Sequence, residues 1–217
     1  MSDSLMAPPL VTLADLLRRL GSVPPDRVRF DPLPGTATES HLLELAERDG
    51  ILCELIDGVL VEKAMGFRES YLAMALVQWL RDFVVARNLG IVTGPDGMMR
   101  LFPGLVRIPD VAFVSWDRCP NRRVPREAIP DLAPNLAIEV LSESNTQGEM
   151  QVKCGEYFAA GAELVWLVDL KTRSVTIFAS PDASVVRAED ETLDGGQVLP
   201  GFQLAVRDLF AELDRHG

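Results

Sequence analysis

Two acidic residues interrupt otherwise apolar stretches of this chain. Asp110 follows Pro109 and, by strand alternation, shares its face with Ile108, Ala112 and Val114; Glu139 shares its face with Ala137 and Leu141. A carboxylate in such a setting costs several kcal/mol unless it is paired, protonated or bound to a cation. A strand-end ion pair with Arg107 or Arg100 would satisfy either residue alone. Lys153 is the third element. With Met150, Cys154, Tyr157 and Phe158 as the apolar stripe of a helix, it falls on the stripe's border, flanked by Glu149 and Glu156. A surface ion-pair ladder would also place it there, but only three of the 21 basic residues are lysines, which sets it apart from the arginine background. In order, the constellation is Asp110, 28 intervening residues, Glu139-Val140-Leu141, then Lys153. Two hard carboxylates on adjacent strands suit Mg²⁺, whose remaining positions water and phosphate oxygens can fill. A nearby ammonium can orient an attacking water or stabilise charge developing on phosphorus.

The elements that must position these residues are legible in the hydrophobic pattern. A short helix is expected over Thr12 to Leu20, a proline-rich linker over Gly21 to Gly35, and a second helix over Thr38 to Arg48. Residues 1–50 thus read as an arm laid on a domain spanning 51–217. That domain opens with a hairpin, Ile51 to Ile56 and Val59 to Lys63, around the turn pair Asp57-Gly58. Leu72, Leu76, Trp79, Leu80 and Phe83 recur at helical spacing within Arg68 to Asn88. Strands are expected at Gly90 to Thr93, Met98 to Phe102, Val106 to Ser115 and Leu136 to Leu141. Thr146 and Glu149 form a capping-box signature for a helix ending near Ala160. A buried strand, Leu164 to Asp169, leads into a meander through Val186, and a short helix is expected near Val206 to Leu213. The pattern is α+β, in an α/β/α-like arrangement: a mixed sheet flanked by helices, with one βαβ unit over Leu136 to Leu170.

Composition narrows the chemistry. A net charge of -11 counts against a protein that coats nucleic acid by neutralising phosphates, though not against one that recruits a metal. Much of the excess is peripheral, since residues 181–217 are strongly acidic. The apolar stretch from Tyr71 to Leu80 falls far short of the ~20 residues of a membrane span. The first basic residue is Arg18, so no basic-then-apolar leader is read and a cytoplasmic location is expected. Cys53, Cys119 and Cys154 stand singly, which offers neither a disulfide framework nor a zinc knuckle, and the two histidines, His41 and His216, leave little for histidine-based catalysis. No glycine-rich phosphate loop occurs. Aromatic content of 6% offers few platforms for a sugar, which discounts a glycosidase built on the two carboxylates. The cluster Arg118, Arg122, Arg123 and Arg126 is offset by Asp117, Glu127 and Asp131 and reads as a solvated loop at least as well as a phosphate clamp.

The stretches ELIDG (Glu54 to Gly58), RIPDVAFVS (Arg107 to Ser115), AIEVLSESNT (Ala137 to Thr146) and EMQVKCGEYFAAGAELVWLVD (Glu149 to Asp169) resemble, in this order, the Uma-type family of putative restriction endonucleases. That family is assigned to the PD-(D/E)XK phosphodiesterase superfamily, and the resemblance covers roughly Ile51 to Phe178. It implies a restriction-endonuclease-like core and Mg²⁺-dependent cleavage of DNA, with Mn²⁺ as a substitute. Asp110 and Glu139 become the acidic metal ligands, the Val140 backbone carbonyl a further one, Glu54 a supporting one, and Lys153 the superfamily lysine displaced onto a helix. A homodimer is implied by analogy with relatives that cut both strands. Two departures stand against the pattern: Leu141 occupies the motif lysine position, and Arg68-Glu69-Ser70-Tyr71 lacks the histidine that the family often carries at the start of its long helix. They support an alternative, a nuclease-fold interaction module without turnover. On that alternative Asp110 is an uncompensated carboxylate, and Asp110→Asn is expected to raise thermal stability.

Overall fold

The computed structural model describes residues 12–215; His216 lies outside them. Thr12 caps helix α1 (Leu13–Arg19), its side chain accepting from the Asp15 amide, and α2 spans Glu39–Asp49. Strands β1 (Cys53–Ile56) and β2 (Val59–Glu62) form the expected hairpin. Asp57 and Gly58 both have positive φ, the backbone that a tight two-residue hairpin turn requires. Then come α3 (Phe67–Ala86), β3 (Gly90–Thr93), β4 (Met99–Phe102), β5 (Leu105–Arg107), β6 (Val111–Ser115), β7 (Leu136–Leu141), α4 (Gln147–Ala159) and β8 (Leu164–Asp169). The chain finishes with β9 (Ser174–Ser180), β10 (Ala183–Arg187), β11 (Thr192–Gly195), β12 (Leu199–Ala205) and α5 (Val206–Ala211).

The strands form a six-stranded mixed sheet in the order β10-β9-β8-β7-β6-β3, a four-stranded sheet in the order β2-β1-β5-β4, and the hairpin β11-β12. Only β7 and β8 pair in parallel among the described strands, and α4 is the crossover that joins them. One face of the six-stranded sheet is covered by α3, through Leu72, Leu76, Leu80 and Val84, by α5, and by the β11-β12 hairpin. The hairpin was not expected from the sequence. On the opposite face Ala112, Val114, Ala137 and Val165 pack against Cys154 and Tyr157 of α4 and Met99 of β4. The expected α+β fold with a mixed sheet flanked by helices is the fold observed.

One expected element splits. The apolar run Val106 to Ser115 is not a single strand: β5 belongs to the four-stranded sheet and β6 to the six-stranded one, and Ile108-Pro109-Asp110 carries the chain between them. Pro109 has no N–H to give to a ladder and restricts the residue before it, so the run breaks where it changes sheets. Asp110 therefore sits at a fork between two sheets.

The N-terminal segment is fastened by apolar and ionic contacts. Leu16, Leu20, Val23 and Val28 pack on Ile56, Val59 and Val61. Gly21, at φ +77, lies against α4 so closely that a Cβ there would come within 2.5 Å of the Gly148 backbone. Thr146 caps α4, accepting from the Glu149 amide at 3.0 Å. The second half of the expected capping box is absent. The Glu149 carboxylate accepts instead from Asn145 at 3.0 Å and, as a buried fork, from Arg27 at 2.8 and 2.9 Å. Burial opposes the charged form of Glu149, yet Arg27, aided by Lys153 and Asn145, holds its carboxyl below the usual glutamate range. A depressed carboxyl contributes stability that is present above its ordinary pKa and lost as pH falls through the depressed one. Glu149→Gln should therefore cost about 3 kcal/mol or more near neutral pH. In urea unfolding titrations the gap between variant and wild type should narrow towards about pH 3.

Candidate active site

Asp110, Glu139 and Lys153 meet where the fork in β5 and β6, the strand β7 and the helix α4 come together. Asp110 is 3% exposed and both its oxygens are engaged. Oδ2 accepts from the Val140 amide at 2.6 Å, and Oδ1 lies 2.6 Å from the Lys63 ammonium. β6 and β7 pair only as far as Val111 with Ile138, so the Val140 edge is free to face the Asp110 side chain. In an antiparallel neighbourhood the N–H and C=O of one residue share a strand edge, which places the Val140 carbonyl on the same side.

Glu139 points from β7 to the α4 face, as alternation with Ala137 requires. Lys153 and Tyr157, one helical turn apart, both reach it: the ammonium donates to Oε2 at 3.2 Å and the phenol to Oε1 at 2.6 Å. Lys153 also lies 3.1 Å from Oε1 of Glu54, which accepts in addition from the Ile108 amide at 3.0 Å and, through Oε2, from Arg107 at 2.7 Å. Arg107 continues to Glu156 at 2.5 Å.

This differs from the expected pairings. Arg107 serves Glu54 and Glu156, and Arg100 serves Glu39 and Asp131, so neither arginine compensates Asp110 or Glu139. Lys153 is no member of a surface ladder: it is 3% exposed, and its sequence neighbours Glu149 and Glu156 are taken by Arg27 and Arg107. Nor is Asp110 uncompensated, because Lys63 sits on it, which removes the reason to expect Asp110→Asn to stabilise the protein. Lys63 and the Tyr157 phenol are the partners that sequence reasoning missed. The scarcity of lysine that marked Lys153 marks Lys63 equally.

The electrostatics follow from burial and neighbours. Glu139 is pushed above the usual carboxylate range, first by burial and then by the like charges of Asp110 and Glu54, despite the opposing pull of Lys153 and Lys63. Glu54 goes the other way: burial works against its charge, but Lys153, Arg107, Lys63 and the Ile108 amide hold its carboxyl well below the ordinary range. Burial alone would discharge Lys153, yet Glu139 and Glu54 hold its ammonium in place and raise its pKa. Burial also pushes the Cys154 thiol up to about 12, leaving it inert as a nucleophile.

No group of three or more metal-ligating side chains is assembled among the described residues. Mg²⁺ asks for less, since it binds through one or two carboxylates and keeps waters or phosphate oxygens for the rest. Asp110 and Glu139, with the Val140 carbonyl on their edge, are hard oxygen donors, and a carboxyl pushed upward by burial and by neighbouring acids is one whose ionisation a cation favours. The residues present fit such an ion. Two open clefts flank the cluster. One, of about 420 Å³, lies beyond the C-terminal ends of β7 and β8 and is bordered by Leu141, Asn145, Thr146 and Asp169. The other, of about 430 Å³, is bordered by Lys63, Leu52, Met65 and Asp96. Asp110 and Glu139 line neither.

A mixed sheet flanked by helices, with buried acids and lysines gathered where β7, α4 and the fork meet, defines the fold and site to set beside known proteins. The fold is similar to that of a crystallised protein described as a putative nuclease belonging to DUF820 from Anabaena variabilis ATCC 29413, with a TM-score of 0.67, 21% identity, and an alignment covering 75% of this chain and 91% of that one. Residues 38–207 match the Uma2 family, described as "Putative restriction endonuclease", and the chain belongs to that family. No match was found among curated proteins. Among the described residues no helix is long and apolar enough to cross a membrane.

Removing one partner of the buried cluster should be expensive. Lys153→Met, which leaves Glu139 without its cation and Glu54 with Arg107 alone, should cost about 3–5 kcal/mol in urea unfolding. Tyr157→Phe, which strands one acceptor, should cost about 1–3 kcal/mol. In a Glu139→Gln background the Tyr157→Phe penalty should shrink, the signature of direct coupling in a double-mutant cycle.

Proposed function

We propose that this protein is a Mg²⁺-dependent endonuclease that hydrolyses phosphodiester bonds in DNA. The observation that carries the reading is the bond from the Val140 amide to Asp110 Oδ2, which ties the aspartate at the sheet fork to the residue after Glu139. It joins the acid at the fork to the strand that carries the other acid, which supports the order of ligands that the PD-(D/E)XK pattern leads one to expect. Asp110 and Glu139, with the Val140 carbonyl, would hold the metal, with Mn²⁺ able to replace Mg²⁺. Such an ion, when bound, would supply Lewis-acid polarisation of a phosphoryl oxygen and a more acidic water. Lys153 is the catalytic lysine in place of Leu141. Its ammonium bonds Glu139 and draws the carboxyl towards the charged form that a metal ligand needs, against the pull of burial. Glu54 supports the metal shell from behind, as the residue that fixes Lys153 against Glu139. A homodimer would present two such sites to the two strands of a duplex.

A second reading has one observation in its favour. Every carboxylate of the cluster already has a protein cation, and both acids are almost wholly buried, as suits a nuclease-fold interaction module without turnover. One assay separates the two. Wild-type protein incubated with supercoiled plasmid should nick it in Mg²⁺ or Mn²⁺ and not in excess chelator. Asp110→Ala and Glu139→Ala should each lose about 100-fold or more, the scale of deleting one group that stabilises transition-state charge. An inactive wild type would leave the interaction module as the reading, and cleavage undiminished in Asp110→Ala would overturn the assignment of Asp110 to the metal.

A further inference from the structure

The cluster holds two buried ammonium groups, and they are not equivalent. Lys153 is clasped by Glu139 and Glu54, next to a tyrosine, deep under α4. Lys63 stands one residue beyond β2, where its amide donates to the Leu52 carbonyl at 2.8 Å. Its side chain is 5% exposed, and the ammonium touches Oδ1 of Asp110 at 2.6 Å and also donates to the Ile108 carbonyl. A carboxylate oxygen and a backbone carbonyl oxygen are the donors that a hard divalent cation takes. The cation position of Asp110 is thus filled by an ammonium from the chain itself. The other Asp110 oxygen is committed to the Val140 amide. An incoming ion therefore meets Asp110 at the oxygen that Lys63 holds, and two cations side by side on one oxygen in a poorly screened interior repel strongly.

Lys63 also has somewhere to go. It borders the cleft of about 430 Å³ that it shares with Asp96, Met65 and Met74, whereas Lys153 borders neither flanking cleft. We propose that a divalent cation enters the site by exchange with the Lys63 ammonium, which swings out into this cleft, so that Lys63 sets the metal concentration at which the site fills. The proposal rests on the metal-binding reading of Asp110 given above and adds to it the residue that opposes occupancy.

Calorimetric titration with Mn²⁺ tests it without reference to turnover. Lys63→Met should bind Mn²⁺ at least about tenfold more tightly than wild type. Lys63→Arg should bind about tenfold more weakly, because a guanidinium grips a carboxylate through two parallel bonds. Asp110→Asn should abolish the site in every background. If wild type and Lys63→Met bind Mn²⁺ equally, exchange is wrong and the metal site stands; if neither binds, both readings fall. Should Lys63→Met not fold, Lys63→Arg decides, since affinity equal to wild type overturns the proposal. An independent readout is amine labelling of the wild type followed by mass spectrometry. Saturating Mn²⁺ should increase modification of Lys63 several-fold and leave Lys153 protected. Labelling of Lys63 that does not respond to bound Mn²⁺ would overturn the exchange.

Discussion

The centre of this protein is held by the requirement that buried carboxylates meet cations. Asp110, Glu139, Glu54, Glu149 and Glu156 are answered by Lys63, Lys153, Arg107 and Arg27, and nearly every one of these bonds joins two different elements. Arg27 ties the N-terminal segment to α4, Arg107 ties β5 to α4, Lys63 ties the end of β2 to the fork, and Lys153 ties α4 both to β7 and to β1. Remove one charge and its partner is stranded in the interior, at a cost well above that of a lost surface pair. The apolar layers on either side of the six-stranded sheet supply most of the folding energy, but the ionic cluster decides how the four-stranded sheet, α4 and the N-terminal segment meet.

Such a cluster is a poor way to gain stability alone, because well-packed apolar residues would do as well or better. Its presence in a domain otherwise rich in Leu, Val and Ile is what the proposed metal chemistry would account for. The acids outnumber the basic groups by one, and the imbalance shows at Glu139, whose charge is opposed by burial and by Asp110 and Glu54, and at Glu156, which burial also pushes upward. On the reading proposed above, a divalent ion would correct that imbalance. The likeness to the Anabaena protein speaks to fold; the residues at the fork carry the argument for activity.

Much of the scaffold could be read from the chain in one dimension. The strands Leu136–Leu141 and Leu164–Asp169 lie where continuous apolar runs place them, and α4 starts at the Thr146 cap. The β11-β12 hairpin escaped notice: β11 has four residues ending at Gly195, and β12 carries Pro200, Gly201 and Gln203 among its apolar positions, leaving only a faint alternation of buried residues. The run Val106 to Ser115 deceived for the opposite reason. It is buried along nearly its whole length in both halves, and nothing in its periodicity marks the change of sheet except Pro109.

The sequence by itself determined which residues would be anomalous: two acids in apolar strands and a rare lysine on a helix border, each defined by local pattern within a few positions. It did not determine who would answer them. Lys63 ends a hairpin far along the chain from Asp110, Arg27 lies 122 residues from Glu149, and Arg107, the obvious neighbour of Asp110, turns away to Glu54. Periodicity encodes the face on which a side chain stands, because that is fixed by the geometry of one helix or strand. The partner across the interior is fixed only when separate elements close on each other, so the choice of Lys63 for Asp110, and of Lys153 for Glu139 and Glu54 together, belonged to the tertiary structure.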